Sequence, residues 1–81
     1  MEHSVALSVG DHYHLASGKD RIVYAGMPSD DVFSIVEQRK AFVYQGYAWN
    51  LFFQKGRTEI RIDGVNLVVE SVDPDRIVLR V

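Results

Sequence analysis

Residues 58–69 read TEIRIDGVNLVV and carry the clearest structural pattern in the chain. Apolar residues occupy every second position on both sides of Asp63-Gly64, and these two residue types tolerate the left-handed backbone of a type I′ hairpin turn. The turn predicts three pairs on one face: Ile62 with Val65, Ile60 with Leu67, and Thr58 with Val69. Because a slip of one residue would turn all of these side chains to the other face, the pattern predicts an antiparallel hairpin in this register.

The preceding segment, residues 47–53, alternates in the same way and predicts another strand with one buried face. Lys55-Gly56 follows it, and a two-residue hairpin loop there would pair this strand with the one that begins near Thr58, since Gly can supply a positive φ. The resulting meander is predicted to bury eight residues on one face: Trp49, Leu51, Phe53, Ile60, Ile62, Val65, Leu67 and Val69.

Downstream of this hairpin, Asp73-Pro74-Asp75 has the residue types of a type I turn, and the alternation from Ile77 to Val81 predicts a last strand. A four-residue loop would place Val72 opposite Ile77 and would put the apolar residues of the two strands on opposite faces. The sequence therefore predicts either a three-residue loop or a β-bulge near Ser71, because each of these restores a common face.

The N-terminal half is less regular. Val5, Leu7 and Val9 alternate with small residues, and a three-residue loop around Gly10-Asp11 would set Leu7 and Val9 opposite Tyr13 and Leu15. A short strand is predicted over residues 21–25.

Residues 29–40 fit two structures. Ser29 or Asp30 could cap a short helix whose apolar positions follow helical spacing. Phe33 and Ile35 also alternate around Ser34 as in a strand, and the strand is the favoured interpretation because of the β-branched content.

The overall prediction is a single all-β domain over residues 1–81, mainly antiparallel, since a chain of 81 residues supports one core. The 12 Val and 5 Ile against 5 Ala and 5 Leu favour strands, and tight turns join about seven of them. Closure removes exposed sheet edges, so a small SH3-like or OB-like barrel is predicted, with a two-sheet β-roll as the alternative.

Composition restricts the classes of function that we expect for this chain. Hydrophobic residues make up 47 % and charged residues 25 %, which is typical of a folded globular domain, and the absence of Cys excludes disulfides and thiolate metal sites. No nucleophile elbow, phosphate-binding Gly-rich loop or strand-supported pair of carboxylates occurs, so we expect a non-catalytic protein without a cofactor. The start of the chain lacks a basic n-region and no apolar run approaches about 18 residues, which predicts a cytoplasmic protein without a membrane span.

Two histidines, His12 and His14, are spaced so that both rings would project from the same side of a strand, with His3 as a further metal ligand. The spacing resembles the His-x-His of metal-binding cupins, but the Glu and the downstream His of that pattern are missing. The favoured interpretation is two exposed strand histidines on either side of a buried Tyr13, with no metal site.

The middle of the chain combines cations with aromatic residues. The formal net charge is −2, yet residues 39–61 carry +4. Single-stranded nucleic acids bind to such combinations, because aromatic rings stack on bases while cations meet phosphates. The nucleic-acid hypothesis assigns this binding to six residues: Arg39, Lys40, Lys55, Arg57, Phe42 and Tyr44.

A different signal favours protein contacts. The predicted pairing places Phe52 beside Glu59, with Val68 across from Glu59 on the same outward face and Asn50 and Arg61 nearby. An apolar pair on a polar face is typical of a contact surface, although the N-terminal half could also cover it. The sequence therefore predicts a small interaction or accessory module that binds a protein partner or a second copy of itself.

Overall fold

The computed structural model describes residues 3–15, 20–40, 46–62 and 64–81. The described residues form eight β-strands: β1 (Ser4–Ser8), β2 (His12–His14), β3 (Asp20–Ser29), β4 (Val32–Lys40), β5 (Gly46–Gln54), β6 (Glu59–Ile62), β7 (Val65–Val72) and β8 (Arg76–Arg80). The all-β class predicted from the sequence is confirmed. The short helix considered for residues 29–40 is wrong, because β4 occupies most of that segment as an extended strand.

The strands form two antiparallel four-stranded sheets. Sheet A has the order β1-β8-β7-β6, and sheet B has the order β2-β3-β4-β5. Strands β2 to β5 are a meander within sheet B, and β6 to β8 are a second meander within sheet A. Strand β1 lies beside β8, so the first and last strands of the chain are neighbours.

The two sheets enclose one hydrophobic core. Alternate residues of both sheets belong to a single buried cluster, and the molecule measures 38 × 31 × 18 Å, as expected for two layers. The buried apolar residues are Leu7, Leu15, Ile22, Tyr24, Phe33, Ile35, Ile60, Ile62, Leu67, Val69, Ile77 and Leu79.

Two predicted hairpins are wrong, and both lie where the chain passes between the sheets. Strand β5 pairs with β4 rather than with β6, and β1 pairs with β8 rather than with β2. At Lys55-Gly56 the glycine does not have a positive φ, and the Arg57 backbone N donates to the Gln54 carbonyl O at 2.9 Å in a turn that leads to sheet A. Alternation predicts which face of a strand is buried, and here both sheets turn that face to the same core.

The missing pairs also decide the architecture. Among the described strands β5 does not bond to β6, and β1 does not bond to β2, so the two sheets are not closed into a barrel. The SH3-like or OB-like barrel is therefore not confirmed, and the two-sheet alternative is closer to what the structure shows.

The predicted Asp63-Gly64 hairpin is confirmed in its register. Ile62 lies opposite Val65 and Ile60 opposite Leu67, and Gly64 has a φ of 74°. Glu59, one position before Ile60, lies opposite Val68.

The predicted bulge near Ser71 is also confirmed. Val69 pairs with Leu79, and the register then shifts so that Ser71 pairs with Val78 and Val72 with Ile77. The extra residue is Glu70, and it allows Val69 and Val72 to face the same core.

A hydrogen-bonded corner joins the two sheets around Tyr24 in β3. The Tyr24 hydroxyl donates to the Asp73 carbonyl O at 2.5 Å, and the Tyr24 carbonyl O accepts from the Gly10 backbone N at 2.9 Å. The Val9 backbone N donates to the Asp75 carbonyl O at 3.1 Å. These bonds hold together the β1–β2 connection, strand β3 and the β7–β8 turn, and we refer to the set as the Tyr24 corner.

The Tyr24 corner predicts a loss of stability in alkali. Burial and the charges of Asp73 and Asp75 raise the pKa of Tyr24 above its ordinary value of 10.0. The stability due to the neutral phenol is therefore fully present below pH 10.0 and is lost as the pH rises through the higher pKa of the folded state.

In urea denaturation at pH 7, Tyr24→Phe should cost about 1–2 kcal/mol, because the carbonyl O of Asp73 loses its donor. At about pH 11 the wild type should no longer be more stable than Tyr24→Phe, since only the wild type must ionise a buried phenol. A difference between the two proteins that stays constant from pH 7 to about pH 11 would contradict this assignment.

Candidate functional site

Strand β5 is an unusual sheet edge. It is nine residues long, lies at one end of sheet B, and contains no charged residue and no proline. The other edges are shorter, since β1 has five residues, β2 has three, and β6 has four, of which Glu59 and Arg61 are charged. Proteins usually protect an edge strand with charges, proline or short length, because its free backbone groups can pair with another chain. Strand β5 has none of these protections.

One hydrogen bond shows which residues of β5 direct their backbone N–H and C=O toward β4 and which direct them toward the open edge. The Lys55 N donates to the Asp31 O at 2.7 Å, in the position directly after the pair Val32–Gln54. In an antiparallel ladder hydrogen-bonded pairs alternate with non-hydrogen-bonded pairs, so every odd-numbered residue of β5 bonds toward β4. Even-numbered residues, among them Asn50, therefore direct their N–H and C=O toward the open edge.

The β3–β4 hairpin leads independently to the same assignment. Ser29 pairs with Val32 across a two-residue loop, and the residues that flank such a loop form a hydrogen-bonded pair. Val32 therefore bonds toward β3, and Phe33 bonds toward β5, where it faces Phe53.

Exposed aromatic side chains lie on both faces of this edge. Trp49 is on the inner face, where its side chain is 38 % exposed at the margin of the core. Phe52 is on the outer face opposite Ser34 and is 62 % exposed. Between them Asn50 is exposed on the outer face. We refer to the backbone and side chains of residues 48–52 as the β5 edge.

The surface predicted around Phe52 is in fact two surfaces. Glu59 does lie opposite Val68, as predicted, but Phe52 lies opposite Ser34 and not beside Glu59. Phe52 and Asn50 belong to sheet B, whereas Val68 and Arg61 belong to sheet A. The prediction was wrong on this point because it assumed a β5–β6 hairpin.

Val68 and Arg61 line a shallow open groove of about 350 Å³ on β6 and β7. Glu59 and Arg57 line the same groove, and the Arg57 Nε donates to the Glu59 carbonyl O at 3.1 Å. The groove thus brings together side chains of both charges around a partly exposed Val68.

Glu70, the bulged residue of β7, is held by two groups on the outer face of sheet A. The Ser4 hydroxyl donates to Glu70 Oε1, and the Arg80 Nη2 lies 3.1 Å from Glu70 Oε2. The Ser4 hydrogen bond, followed by the Arg80 guanidinium, lowers the pKa of Glu70 below its ordinary value of 4.5. Because Glu70 is exposed and already bonded within the sheet, this cluster has the properties of a structural ion pair.

The cations of the nucleic-acid hypothesis lie at the two ends of the β4–β5 hairpin. Arg39 and Lys40 end β4 where it meets the start of β5, while Lys55 and Arg57 follow the end of β5. These ends are about 27 Å apart at 3.4 Å per residue. Phe42 and Tyr44 lie outside the described residues.

The three histidines do not converge. His12 and His14 are exposed on the edge strand β2, whereas His3 contacts Tyr13, whose hydroxyl lies 3.3 Å from His3 Nε2. Tyr13 is half-buried and packs against the core. No group of three His, Cys, Asp or Glu residues in the described ranges is arranged to hold a metal ion.

Sequence reasoning selected Phe52 and Asn50 but missed that the whole of β5 is a sheet edge. A signal for it exists, because residues 41–54 form an uncharged run of fourteen residues between Lys40 and Lys55. Such a run is compatible with a central strand or with an edge strand that pairs with another chain. The position of the strand in the sheet distinguishes these two cases.

No protein-family model matches the chain, and neither the curated proteins nor the solved structures include a significant match to it. In the part of the chain that the structure describes, no helix is long and apolar enough to cross a membrane.

Proposed function

We propose that this protein is a small non-catalytic interaction module that associates with a second copy of itself through the β5 edge. The observation that supports the proposal is the nine-residue edge strand without charge or proline, with Trp49 and Phe52 exposed on its two faces. Strand addition at such an edge gains affinity from backbone hydrogen bonds and specificity from the side chains beside them.

A second copy is the partner that suits an uncharged strand. Symmetric antiparallel pairing brings residues near the two-fold axis close to their own counterparts, and charged residues there would face like charges. Strand β5 carries no charge, so it pairs with itself without this repulsion. Asn50 and Phe52 take part in the contact, while Val68 and Arg61 lie on sheet A, outside the β5 edge.

The single-stranded nucleic-acid hypothesis receives less support from the geometry. Lys55 lies just beyond the end of β5 that carries the exposed Phe52. Arg57, however, lines the groove of sheet A, and Arg39 and Lys40 are at the far end of the hairpin. One aromatic with one nearby cation is a small site compared with the several stacked bases of known single-strand binders.

Asn50→Lys is the direct test of the proposal. A lysine at the centre of β5 would bring two like charges together across the contact, and lysine is a residue with which natural edge strands prevent pairing with another chain. We expect sedimentation equilibrium to show a dimer for the wild type and a dissociation constant at least about tenfold higher for Asn50→Lys, which corresponds to about 1.4 kcal/mol.

The matched control is His12→Lys, which adds the same charge to an exposed position on β2, the opposite edge of the same sheet. Its dissociation constant should equal that of the wild type. A wild type that stays monomeric over the whole concentration range would refute the proposal, as would equal weakening by the two variants.

A further inference from the structure

We infer that two copies pair their β5 strands antiparallel in a single register, with Asn50 opposite Asn50 of the second copy on a two-fold axis. The two B sheets then form one continuous eight-stranded sheet. This inference rests on the proposed function and specifies the geometry of the contact.

The allowed registers are restricted first by the side of β5 to which each residue directs its N–H and C=O. Since the even-numbered residues of β5 direct their N–H and C=O outward, a hydrogen-bonded ladder requires even-numbered residues to face even-numbered residues. The same condition places the odd-numbered, inward-facing residues of both copies on one side. Both inner faces, with Trp49 and Leu51, are therefore continuous across the contact.

Strand length then selects among the allowed registers. With Asn50 on the axis, the whole of β5 from Gly46 to Gln54 overlaps with its counterpart. A shift to the next allowed register shortens the overlap by two residues. The central part of the full overlap, residues 48–52, supplies about six backbone hydrogen bonds between the copies.

The side chains fit this register. Phe52 of each copy faces Ala48 of the other, so that a large exposed ring lies against a small residue on the outer face. Trp49 faces Leu51 of the second copy in a non-hydrogen-bonded pair, where side chains approach most closely. The two Asn50 amides meet at the axis, and each has both a donor and an acceptor for the other.

Cysteine crosslinking tests the register directly, because the chain has no cysteine of its own. In a hydrogen-bonded pair the Cα atoms are about 5.5 Å apart, which is within the range of a disulfide. Asn50→Cys should therefore form a covalent dimer on mild oxidation, at least about tenfold faster than the exposed control His12→Cys, because the dimer holds its thiols at high effective concentration.

Ala48→Cys and Phe52→Cys supply a second test that leaves Asn50 intact. Copies of the same position lie about 14 Å apart in this register, so neither variant should crosslink with itself. An equimolar mixture of the two variants should crosslink, because position 48 of one copy faces position 52 of the other. Sedimentation of each reduced variant checks that it remains a dimer.

The outcomes distinguish a failure of the proposed register from a failure of the proposed function. A dimeric wild type in which Leu51→Cys or Trp49→Cys crosslinks instead, or in which the mixture does not crosslink, overturns the register and leaves self-association in place. A wild type that is monomeric at every concentration overturns both.

Discussion

Replacing Phe33 with alanine is expected to lower the free energy of unfolding by about 3–5 kcal/mol, the usual range for a buried Phe. The Phe33 side chain is fully buried in β4, and its ring stacks on that of Phe53 with 5.3 Å between the ring centroids. The loss comes from the apolar surface returned to water and from the cavity left between the sheets. A domain of this size has about 4–12 kcal/mol of stability in all, so the variant should be close to unfolded.

Urea denaturation followed by Trp49 fluorescence measures this effect. Phe52→Ala is the matched control, because the same side chain is removed from a neighbouring strand at a position that is 62 % exposed. Under conditions where the protein is monomeric, its unfolding free energy should change by no more than about 0.5 kcal/mol. Similar losses in the two variants would show that Phe33 does not occupy the core.

Gly26→Val should cost about 2–3 kcal/mol, because it affects the Tyr24 corner at a position where the backbone favours glycine. Gly26 has a φ of 92°, which L-residues with a Cβ adopt at a cost and β-branched residues rarely adopt at all. A Cβ there would already lie 3.5 Å from the Pro74 carbonyl O and from Val9 Cγ2, so the added methyl groups have little space. The pairing of β3 with β4 shifts register between Tyr24 and Gly26. This bulge and the connection between the sheets would have to move.

Gly56→Val is the control for this prediction. Gly56 lies in the β5–β6 connection and does not have a positive φ, and a Cβ at this position would meet no atom within 4 Å. Its thermal midpoint should stay near that of the wild type, whereas that of Gly26→Val should fall by roughly 10 °C or more. Equal midpoints for the two variants would contradict the strain assigned to Gly26.

Some of the fold follows from sequence because it depends on neighbouring residues. The pairing of Ile60 with Leu67 is set by a turn two residues long, and the bulge at Glu70 is required by the change of phase between Val69 and Val72. Local turn chemistry and the two-residue period are sufficient in both cases.

The partner of β5 could not be obtained in this way. Trp49, Leu51 and Phe53 would face the core whether β5 bonded to β6 or to β4, because both sheets enclose the same apolar interior. The choice depends on pairing with Phe33 and Ile35 in the preceding strand β4, which the alternation within β5 does not report. For the same reason Phe52 was selected as an exposed residue, while its separation from Val68 was not foreseen.

The neighbouring positions of β1 and β8 also affect how the chain folds. Ser4 lies opposite Arg80, so this ladder closes a loop that contains nearly the whole chain. Both meanders form from segments close in sequence, whereas closing so long a loop costs entropy before any contact is gained. We expect the meanders to form first and β1 to dock last, so that β8 is an exposed edge for as long as folding is incomplete.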